Sequence, residues 1–253
     1  MLELFDLTGK NAIVVGGAGD LGLSMMEALA EAGATVAVID ISDSIYNIAD
    51  DFRKRNLVLY PIKADISSRD QIRSSYASAL SSLGGRVDIL LNTAGIQRRC
   101  TSEDFSEKDW DDVIAVNLSA MFFYCQLAAQ NMIQHGKGKI INIASMQSFF
   151  GGITIPAYAA SKGGVAQLTK ALSNDWAGKG INVNAIAPGY MDTKLNTALI
   201  NDPVRNDEVL SRIPLKRWGT GNDLKGIVVF LSSDASNYIS GAIIPVDGGY
   251  LGR

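Results

Sequence analysis

Residues 11–22 read Asn-Ala-Ile-Val-Val-Gly-Gly-Ala-Gly-Asp-Leu-Gly, and this stretch decides the fold. Its first part, Asn11–Val15, is short, mostly apolar and β-branched, which predicts a buried strand. The glycines at 16, 17, 19 and 22 follow at once and predict a turn that opens into a helix. Backbone amides in such a turn, together with the positive end of the helix, can face a diphosphate. The stretch therefore predicts a strand, a diphosphate-binding turn and a helix in direct succession.

The rest of the chain repeats this alternation of short apolar runs and longer helical segments. Strands are predicted at Asn11–Val15, Thr35–Ile39, Leu57–Ile62, Val87–Leu91, Lys139–Ile143, Asn182–Ala187 and Ala242–Val246. Helices are predicted at Gly22–Ala32, Ser68–Leu83, Glu107–Gln134, Ala157–Ala177 and Gly221–Ser232. Strands that are apolar along nearly their whole length are typical of a parallel sheet covered on both faces. We therefore predict an α/β fold in which one domain, residues 1–253, has a doubly wound Rossmann-type sheet of about seven strands.

The segment Asp192–Pro214 is polar and shows no clear strand. It is interpreted either as a mobile lid or as a surface helical excursion, and the sequence leaves both open.

Composition excludes several classes of protein. The 253 residues are 47% hydrophobic and carry a formal net charge of -3, so no overall basic field exists to hold nucleic acid or anionic lipid. No uninterrupted apolar run approaches the ~18 residues that a membrane span needs, and we expect a cytoplasmic location. Two cysteines, Cys100 and Cys125, and one histidine, His135, lack the spacing of a metal site or a Ser-His-Asp triad.

Acidic residues follow the second and third predicted strands. Asp40 comes 18 positions after Gly22, close to the ~20 expected of an acid that accepts the ribose hydroxyls of a dinucleotide. Residues 41–43 supply no Arg or Lys for a 2'-phosphate, so these charges favour NAD over NADP. An aspartate that only terminates a strand is the alternative. Asp65, followed by Ile66, can approach an adenine edge, and turn capping explains it equally well.

Tyr158 and Lys162 lie four positions apart on a predicted helix, so their side chains share one face. A phenol with a pKa of about 10 is a poor proton donor and acceptor near neutrality, and a fixed cation favours its phenolate. Ser145 ends the fifth predicted strand, where open α/β sheets place ligands, and its hydroxyl can hold a carbonyl oxygen. Taken alone such a pair is more often ordinary helix surface; the glycine turn favours proton chemistry.

These motifs resemble the short-chain dehydrogenase/reductase family along nearly the whole chain. The family's Tyr-x-x-x-Lys pair falls on Tyr158 and Lys162, its serine on Ser145 and its catalytic asparagine on Asn117. Its Asn-Asn-Ala-Gly motif appears as residues 92–95. The resemblance and the glycine turn together give these candidate cofactor-binding residues: Gly16, Gly17, Gly19, Asp20, Leu21, Gly22, Asp40, Asp65, Ile66, Asn92, Ala94, Gly95, Tyr158, Lys162, Pro188, Gly189, Met191 and Thr193.

The chain departs from the family's Thr-Gly-x-x-x-Gly-x-Gly at two positions. Val15 replaces the threonine, and Asp20 replaces the middle glycine. A carboxylate at that position is expected near the diphosphate and should weaken cofactor binding unless it turns outward or caps the helix.

The resemblance implies reversible hydride transfer between a nicotinamide and a carbonyl carbon, with Tyr158 as the proton donor and no metal. Residues 95–99 and 145–148 resemble bacterial sugar-acid dehydrogenases of this family, so a keto sugar acid is the expected substrate. A neutral ketose or polyol and a cofactor-binding module without turnover are the alternatives. The family also implies a homotetramer. Besides Ser145 and Tyr158, the candidate substrate-binding residues are Arg98, Arg99, Gln147 and Tyr190.

Overall fold

The computed structural model describes residues 2–252, apart from the side chain of Leu195. Seven strands form one parallel sheet in the order β3-β2-β1-β4-β5-β6-β7. They are β1 Asn11–Val15, β2 Thr35–Asp40, β3 Leu59–Lys63, β4 Ile89–Asn92, β5 Gly138–Ile143, β6 Ile181–Pro188 and β7 Ile243–Val246. The predicted doubly wound sheet is confirmed. Met1 and Arg253, the two ends of the predicted domain, lie outside the described residues.

Helices cover both faces of this sheet. They are α1 Asp20–Glu31, α2 Ser44–Lys54, α3 Arg69–Ser82, α4 Glu107–Ile114, α5 Met121–His135, α6 Pro156–Trp176, α7 Thr197–Ile200, α8 Pro203–Arg212 and α9 Asn222–Ser232. Two buried core clusters lie on the two sides of the sheet: one contains the apolar faces of α3, α5 and α6, and the other those of α1, α2 and α9.

Two parts of this arrangement go beyond the sequence prediction. Helix α2 was not among the predicted helices, although Ile45, Ala49 and Phe52 recur at helical spacing and are buried. The polar segment after β6 contains α7 and α8, so its helical interpretation is the one that the structure supports.

The chain reverses its direction of travel across the sheet at β1, which pairs with β2 on one side and β4 on the other. In such sheets a crevice opens beyond the carboxyl ends of the strands at this point. The chain delivers Gly16, Asp40, Thr93, Ser145 and Gly189 to this edge, because each ends or follows one of the strands. The topology therefore gathers the candidate site residues at one edge.

The helical run Glu107–His135 is long and apolar enough, by length and composition, to cross a membrane, with a mean hydropathy of 1.4. In the structure 44% of this apolar window is buried, and Tyr124, Cys125, Ala128 and Met132 pack into the core against the sheet. Packing on the sheet thus accounts for the apolar character of its inner face. Between α4 and α5 the run contains a π-helical segment, Ala115–Ala120.

A buried polar network joins the middle of the sheet to two helices. The Asn92 amide donates to Asn142 Oδ1 at 2.9 Å and to Cys125 Sγ at 3.3 Å. The Asn142 amide in turn donates to Thr169 Oγ1 at 3.1 Å. Because β4 and β5 place these two asparagines opposite each other, the network lies across one strand pair and ties it to α5 and α6.

Candidate active site

The glycine turn after β1 is built from very close backbone approaches. Gly16 has φ +88°, and a Cβ there would lie 2.4 Å from the backbone nitrogen of Ala94. A Cβ at Gly22 would lie 2.2 Å from the carbonyl oxygen of Gly16. The Thr93 hydroxyl donates to that same carbonyl at 2.7 Å. Only glycine fits these two positions, so the turn packs tightly between α1 and the loop after β4.

A cavity of about 410 Å³ opens beside this turn. Seven of the predicted cofactor residues line it: Gly16, Gly19, Asp40, Asp65, Ile66, Ala94 and Gly95. The sequence prediction missed its other lining residues, which are Ala18, Ile39, Ile41, Ser42, Ala64, Thr93, Ile96 and Val116. Most of these residues are sequence neighbours of predicted residues in the same loops. That neighbourhood could have indicated them as lining residues. The cavity has the position and size of a site for the adenosine half of a dinucleotide.

Asp40 organises the rim of this cavity. One carboxylate oxygen accepts from the backbone N–H of Ala18 and the other from that of Ser42, both at 2.9 Å. Nearby, Lys63 Nζ forms an ion pair with Asp43 at 2.8 Å, and this pairing raises the pKa of Lys63. Lys63 lies opposite Asp40 in the register of β2 and β3. The cation nearest to Asp40 in that register is therefore already paired with Asp43.

Several predicted cofactor residues face elsewhere. Gly17 packs against Val38, where a Cβ would lie 2.4 Å from a methyl group, and Leu21 packs against the apolar core. Asn92 turns into the buried polar network, and Met191 is 3% exposed and packs against Gly219. Their motif positions serve packing and strand alignment, which sequence spacing does not separate from ligand contact.

Three predicted cofactor residues follow β6. Pro188 is its last residue, and the backbone N–H of Gly189 donates to Val246 at 2.9 Å. A Cβ on Gly189 would lie 2.6 Å from Asp247, so this glycine permits a close approach to the chain after β7. Thr193 then begins the short helical turn Lys194–Asn196.

Asp20 is the first residue of α1. Its Oδ2 accepts from the backbone N–H of Lys194 at 2.8 Å. The side chain therefore reaches the segment after β6, and its expected effect on cofactor binding stays a prediction.

The structure brings three of the four predicted catalytic side chains together through α6 and the end of β5. Lys162 Nζ lies 5.7 Å from the ring centroid of Tyr158 and donates to the carbonyl of Ile143 at 2.7 Å. The side chain of Ser145 lies close enough to the phenol of Tyr158 to lower its pKa as a hydrogen-bond partner. A hydroxyl, a phenol and an ammonium thus lie at one point beyond the strand ends.

Asn117, the fourth predicted residue, lies in the π-helical segment, a feature frequent at functional sites. Its Oδ1 accepts from the backbone N–H of Ile96 at 2.8 Å, and its amide donates to the Ile96 carbonyl at 2.9 Å and to Ser161 Oγ at 3.1 Å. These bonds brace the loop after β4 against α6. A Cβ on Gly95 would lie 3.5 Å from Asn117 Oδ1 and 3.6 Å from Lys162 Nζ, so the asparagine borders the lysine.

Burial shifts the pKa of both Tyr158 and Lys162. It raises the pKa of Tyr158, an effect that the hydrogen bond with Ser145 opposes. Burial also lowers the pKa of Lys162 to about 8. Both directions disfavour the charged forms. Burial is the main cause of the raised pKa of Tyr158, and the lowering of that pKa expected from Lys162 stays a prediction.

Two serines that the sequence analysis did not single out position the catalytic groups. Ser148 Oγ accepts from the backbone N–H of Ser145 at 3.3 Å and donates to the carbonyl of Lys162 at 2.6 Å. Ser161 Oγ donates to the carbonyl of Tyr158 at 2.8 Å. The signal for Ser148 was its position three residues after Ser145, the spacing of a local side-chain to backbone bond.

The predicted substrate residues lie near the carboxyl ends of the strands, and they differ in whether their side chains have a partner. Arg98 is drawn to Asp109 of α4, with Nε 3.3 Å from Oδ1. The side chain of Arg99 is exposed and forms no ion pair or hydrogen bond within residues 2–252. Gln147 Oε1 is buried without a partner in that range.

Tyr190 packs edge-on to Trp218 and Tyr250, in an aromatic cluster with Met146 and Ile213. It therefore forms part of the wall near the segment after β6. No group of three or more His, Cys, Asp or Glu side chains in residues 2–252 is placed to hold a metal ion.

The chain belongs to the short-chain dehydrogenase/reductase family, as a family profile described as Enoyl-(Acyl carrier protein) reductase matches residues 16–251. It is an NAD(P)-dependent oxidoreductase acting on CH–OH groups. It is 43% identical to 2-dehydro-3-deoxy-D-gluconate 5-dehydrogenase from Bacillus subtilis, over 99% of this chain and 98% of that protein. It is 39% identical to gluconate 5-dehydrogenase from Gluconobacter oxydans, over 98% of this chain and 96% of that protein. The resemblance inferred from the sequence motifs is confirmed.

A crystal structure of a gluconate 5-dehydrogenase from Burkholderia cenocepacia, in complex with NADP and tartrate, superimposes with a TM-score of 0.95. The two chains are 39% identical, and the match covers 100% of this chain and 99% of that one. The fold and the arrangement of the strand ends are thus shared along the whole length.

Proposed function

We propose that this protein interconverts a hydroxyl and a ketone on a hexonate-type sugar acid with NAD(H), in the manner of a 2-dehydro-3-deoxy-D-gluconate 5-dehydrogenase. The observation that carries the proposal is the meeting of Ser145, Tyr158 and Lys162 beside the dinucleotide cavity. The similarity to sugar-acid dehydrogenases supports the substrate class. Gluconate 5-dehydrogenase activity is the second candidate, favoured by the fold shared with the Burkholderia enzyme.

Each catalytic side chain has one part in this reaction. When bound, the nicotinamide supplies or accepts the hydride. Tyr158 gives its phenolic proton to the carbonyl oxygen in reduction and takes it back in oxidation. Ser145 holds that oxygen by a hydrogen bond, and Lys162 in its protonated form favours the phenolate. Asn117, through Ile96 and Ser161, keeps the loop after β4 in place against α6.

The preference for NAD rests on the charges at the rim of the cavity. Asp40 would repel a 2'-phosphate, and Lys63, the neighbouring cation, is already paired with Asp43. The Burkholderia relative is in complex with NADP, so a site of this fold also takes the phosphorylated cofactor. Parallel dissociation constants for NADH and NADPH decide the point, and tighter NADPH binding contradicts the proposed preference.

For the substrate carboxylate we propose Arg99 as the principal partner, because its guanidinium is exposed and has no ion-pair partner within residues 2–252, while Arg98 is engaged by Asp109. The Arg99→Ala variant should raise KM for a keto sugar acid roughly tenfold or more and leave KM for a neutral ketose nearly unchanged. Arg98→Ala serves as the matched control and should have the smaller effect. Equal effects on acid and ketose contradict the carboxylate contact and favour a neutral substrate.

Next to Ser145, the buried Gln147 Oε1 is an acceptor suited to a substrate hydroxyl. The Gln147→Met variant should therefore discriminate less well between sugar acids that differ at one hydroxyl. A panel of such acids, compared by kcat/KM, measures this, and an unchanged ranking assigns Gln147 to loop packing.

The decisive experiment is an absorbance assay with NADH and NADPH against a panel of keto sugar acids and neutral ketoses. The Tyr158→Phe variant should lose turnover while its NADH dissociation constant, measured by fluorescence, stays close to that of the wild type. Absence of turnover in the wild type with intact NADH binding would instead indicate a cofactor-binding module. Equal loss of turnover and NADH binding in the variant contradicts the proton-donor role.

We also propose that the chain assembles as a cytoplasmic homotetramer, through the outer faces of α5 and α6. An apolar groove of about 490 Å³ lies there, lined by Leu118, Phe122, Phe123, Gly164 and Leu168 with neighbouring polar residues. Sedimentation equilibrium should give four chains per particle. The Phe122→Glu variant should dissociate into smaller species, since it would bury a charge in that face.

A further inference from the structure

We propose that Asp20 is a positioning residue: its carboxylate fastens the segment after β6, and with it Thr193 and helices α7 and α8, to the first turn of α1. The bond from the Lys194 backbone N–H to Asp20 Oδ2 is 2.8 Å long and joins residues 174 positions apart. It connects the diphosphate-binding turn directly to the segment that borders the substrate side of the site. The inference rests on the proposed function only for its kinetic test.

The local geometry shows that the carboxylate serves this contact and not its own helix. Asp20 follows Gly19, the N-terminal cap of α1, which provides no side-chain cap. A carboxylate in the first helical turn is favoured by the helix dipole, so Asp20 is tolerated there.

The segment after β6 is also bonded to the chain after β7, where the Leu215 N–H donates to the Gly248 carbonyl at 3.1 Å, and to α9, where Arg217 pairs with Asp223 at 2.7 Å. Its remaining bonds are internal. Gly219 bonds the backbone on both sides, donating to Tyr190 at 2.9 Å and accepting from Asp192 at 2.7 Å. The Asn196 amide donates to the carbonyl of Met191 at 2.8 Å, and the Trp218 indole donates to Asn206 at 2.7 Å. These contacts shape the segment without joining it to α1. The Asp20 bond supplies that connection.

The arrangement also bears on cofactor affinity. A carboxylate near the glycine turn would repel a diphosphate unless it is engaged elsewhere, and Asp20 is engaged by the Lys194 N–H. Removing the carboxylate should loosen the segment after β6 together with Thr193, a candidate cofactor residue, and should therefore weaken NADH binding. A carboxylate that only repelled the diphosphate would have the opposite effect, since its removal would tighten NADH binding.

Limited trypsin digestion tests this directly, because Lys194 and Arg205 are cleavage sites within the segment. In Asp20→Ala, cleavage after Lys194 should be several-fold faster than in the wild type, while Asp20→Asn, whose amide oxygen still accepts, should stay close to it. Asp70→Ala is the matched control, since it removes an exposed carboxylate from the first turn of α3. Thermal melting of each variant separates local loosening from global unfolding.

Binding and kinetics provide the second readout. The NADH dissociation constant of Asp20→Ala should rise several-fold, because Thr193 is loosened, and KM for the keto sugar acid should rise roughly tenfold. The proposal is overturned if Asp20→Ala is cleaved no faster than the wild type, if Asp20→Asn behaves like Asp20→Ala, or if NADH binding tightens. Digestion and NADH binding need no turnover, so they remain decisive even where the proposed substrate is wrong.

Discussion

Replacing Lys162 by methionine should stabilise the fold at neutral pH while destroying activity. Lys162 is 3% exposed, and burial lowers its pKa from 10.5 to about 8. That difference corresponds to about 3 kcal/mol of unfavourable free energy for carrying the charge in the folded state. The variant leaves the Ile143 carbonyl without its donor, at a cost of about 1–3 kcal/mol. We therefore expect Lys162→Met to equal the wild type in stability or exceed it by up to about 2 kcal/mol at pH 7.

The pH dependence is the sharper part of this prediction. Between pH 8 and 10.5 the unfolded chain keeps the lysine proton that the folded protein has released, so the wild type gains stability as pH rises. The advantage of Lys162→Met should shrink by about 2–3 kcal/mol between pH 7 and pH 10. Urea unfolding of both proteins at several pH values measures this, and kcat of the variant should fall at least about a hundredfold.

Lys139→Met provides a matched control for Lys162→Met. Lys139 is also 3% exposed with a pKa lowered to about 8 by burial, but it lies near the amino end of β5 beside Asn182 and Ser236, at the opposite end of the strand from Ser145. The same trend in stability with pH is expected, with activity preserved. A stability difference between Lys162→Met and the wild type that does not change between pH 7 and pH 10 refutes the reasoning.

Four further outcomes are expected. The kcat/KM for ketone reduction should fall as pH rises through about 8, where Lys162 loses its proton; a flat profile contradicts this. Gly22→Ala should weaken NADH binding and lower the melting temperature, because its Cβ would lie 2.2 Å from a backbone oxygen. Asp43→Asn should free Lys63 and raise the ratio of kcat/KM with NADPH to that with NADH roughly fivefold; an unchanged ratio removes Lys63 from the site. Ser148→Ala should lower kcat several-fold with NADH affinity unchanged, which stopped-flow binding and steady-state rates separate.

Much of this architecture could be predicted because the decisive residues act through local geometry. The glycines of the turn are required by backbone contacts within one strand-turn-helix unit, and the observed strands differ from the predicted bounds by at most two residues. Helical spacing places Tyr158 and Lys162 on one face, and the glycine turn indicates that this face borders a cofactor. The residues that follow parallel strands lie at the same edge of the sheet. The position of Ser145 at that edge could therefore be predicted from the strand it follows.

Other parts depend on contacts that are distant in sequence. Nothing near Asn92 indicates that its amide turns into the core to meet Asn142, or that Arg98 is held by Asp109. The direction of the Tyr158 pKa likewise depends on how deeply α6 is covered, which spacing does not give. Side-chain direction and burial were therefore the information that the sequence lacked.

The buried amide network fixes the register in which β5 pairs with β4. A one-residue slip of β5 along β4 would turn Asn142 onto the opposite face and separate it from Asn92 and Thr169, leaving polar groups without partners in an apolar layer. The same slip would carry Ser145 about 3.3 Å along the strand axis, beyond hydrogen-bond reach of the phenol. The contacts that keep the Ser145 hydroxyl in place are thus the same ones that a slipped sheet would lose. A protein with β5 out of register should therefore be both less stable and inactive.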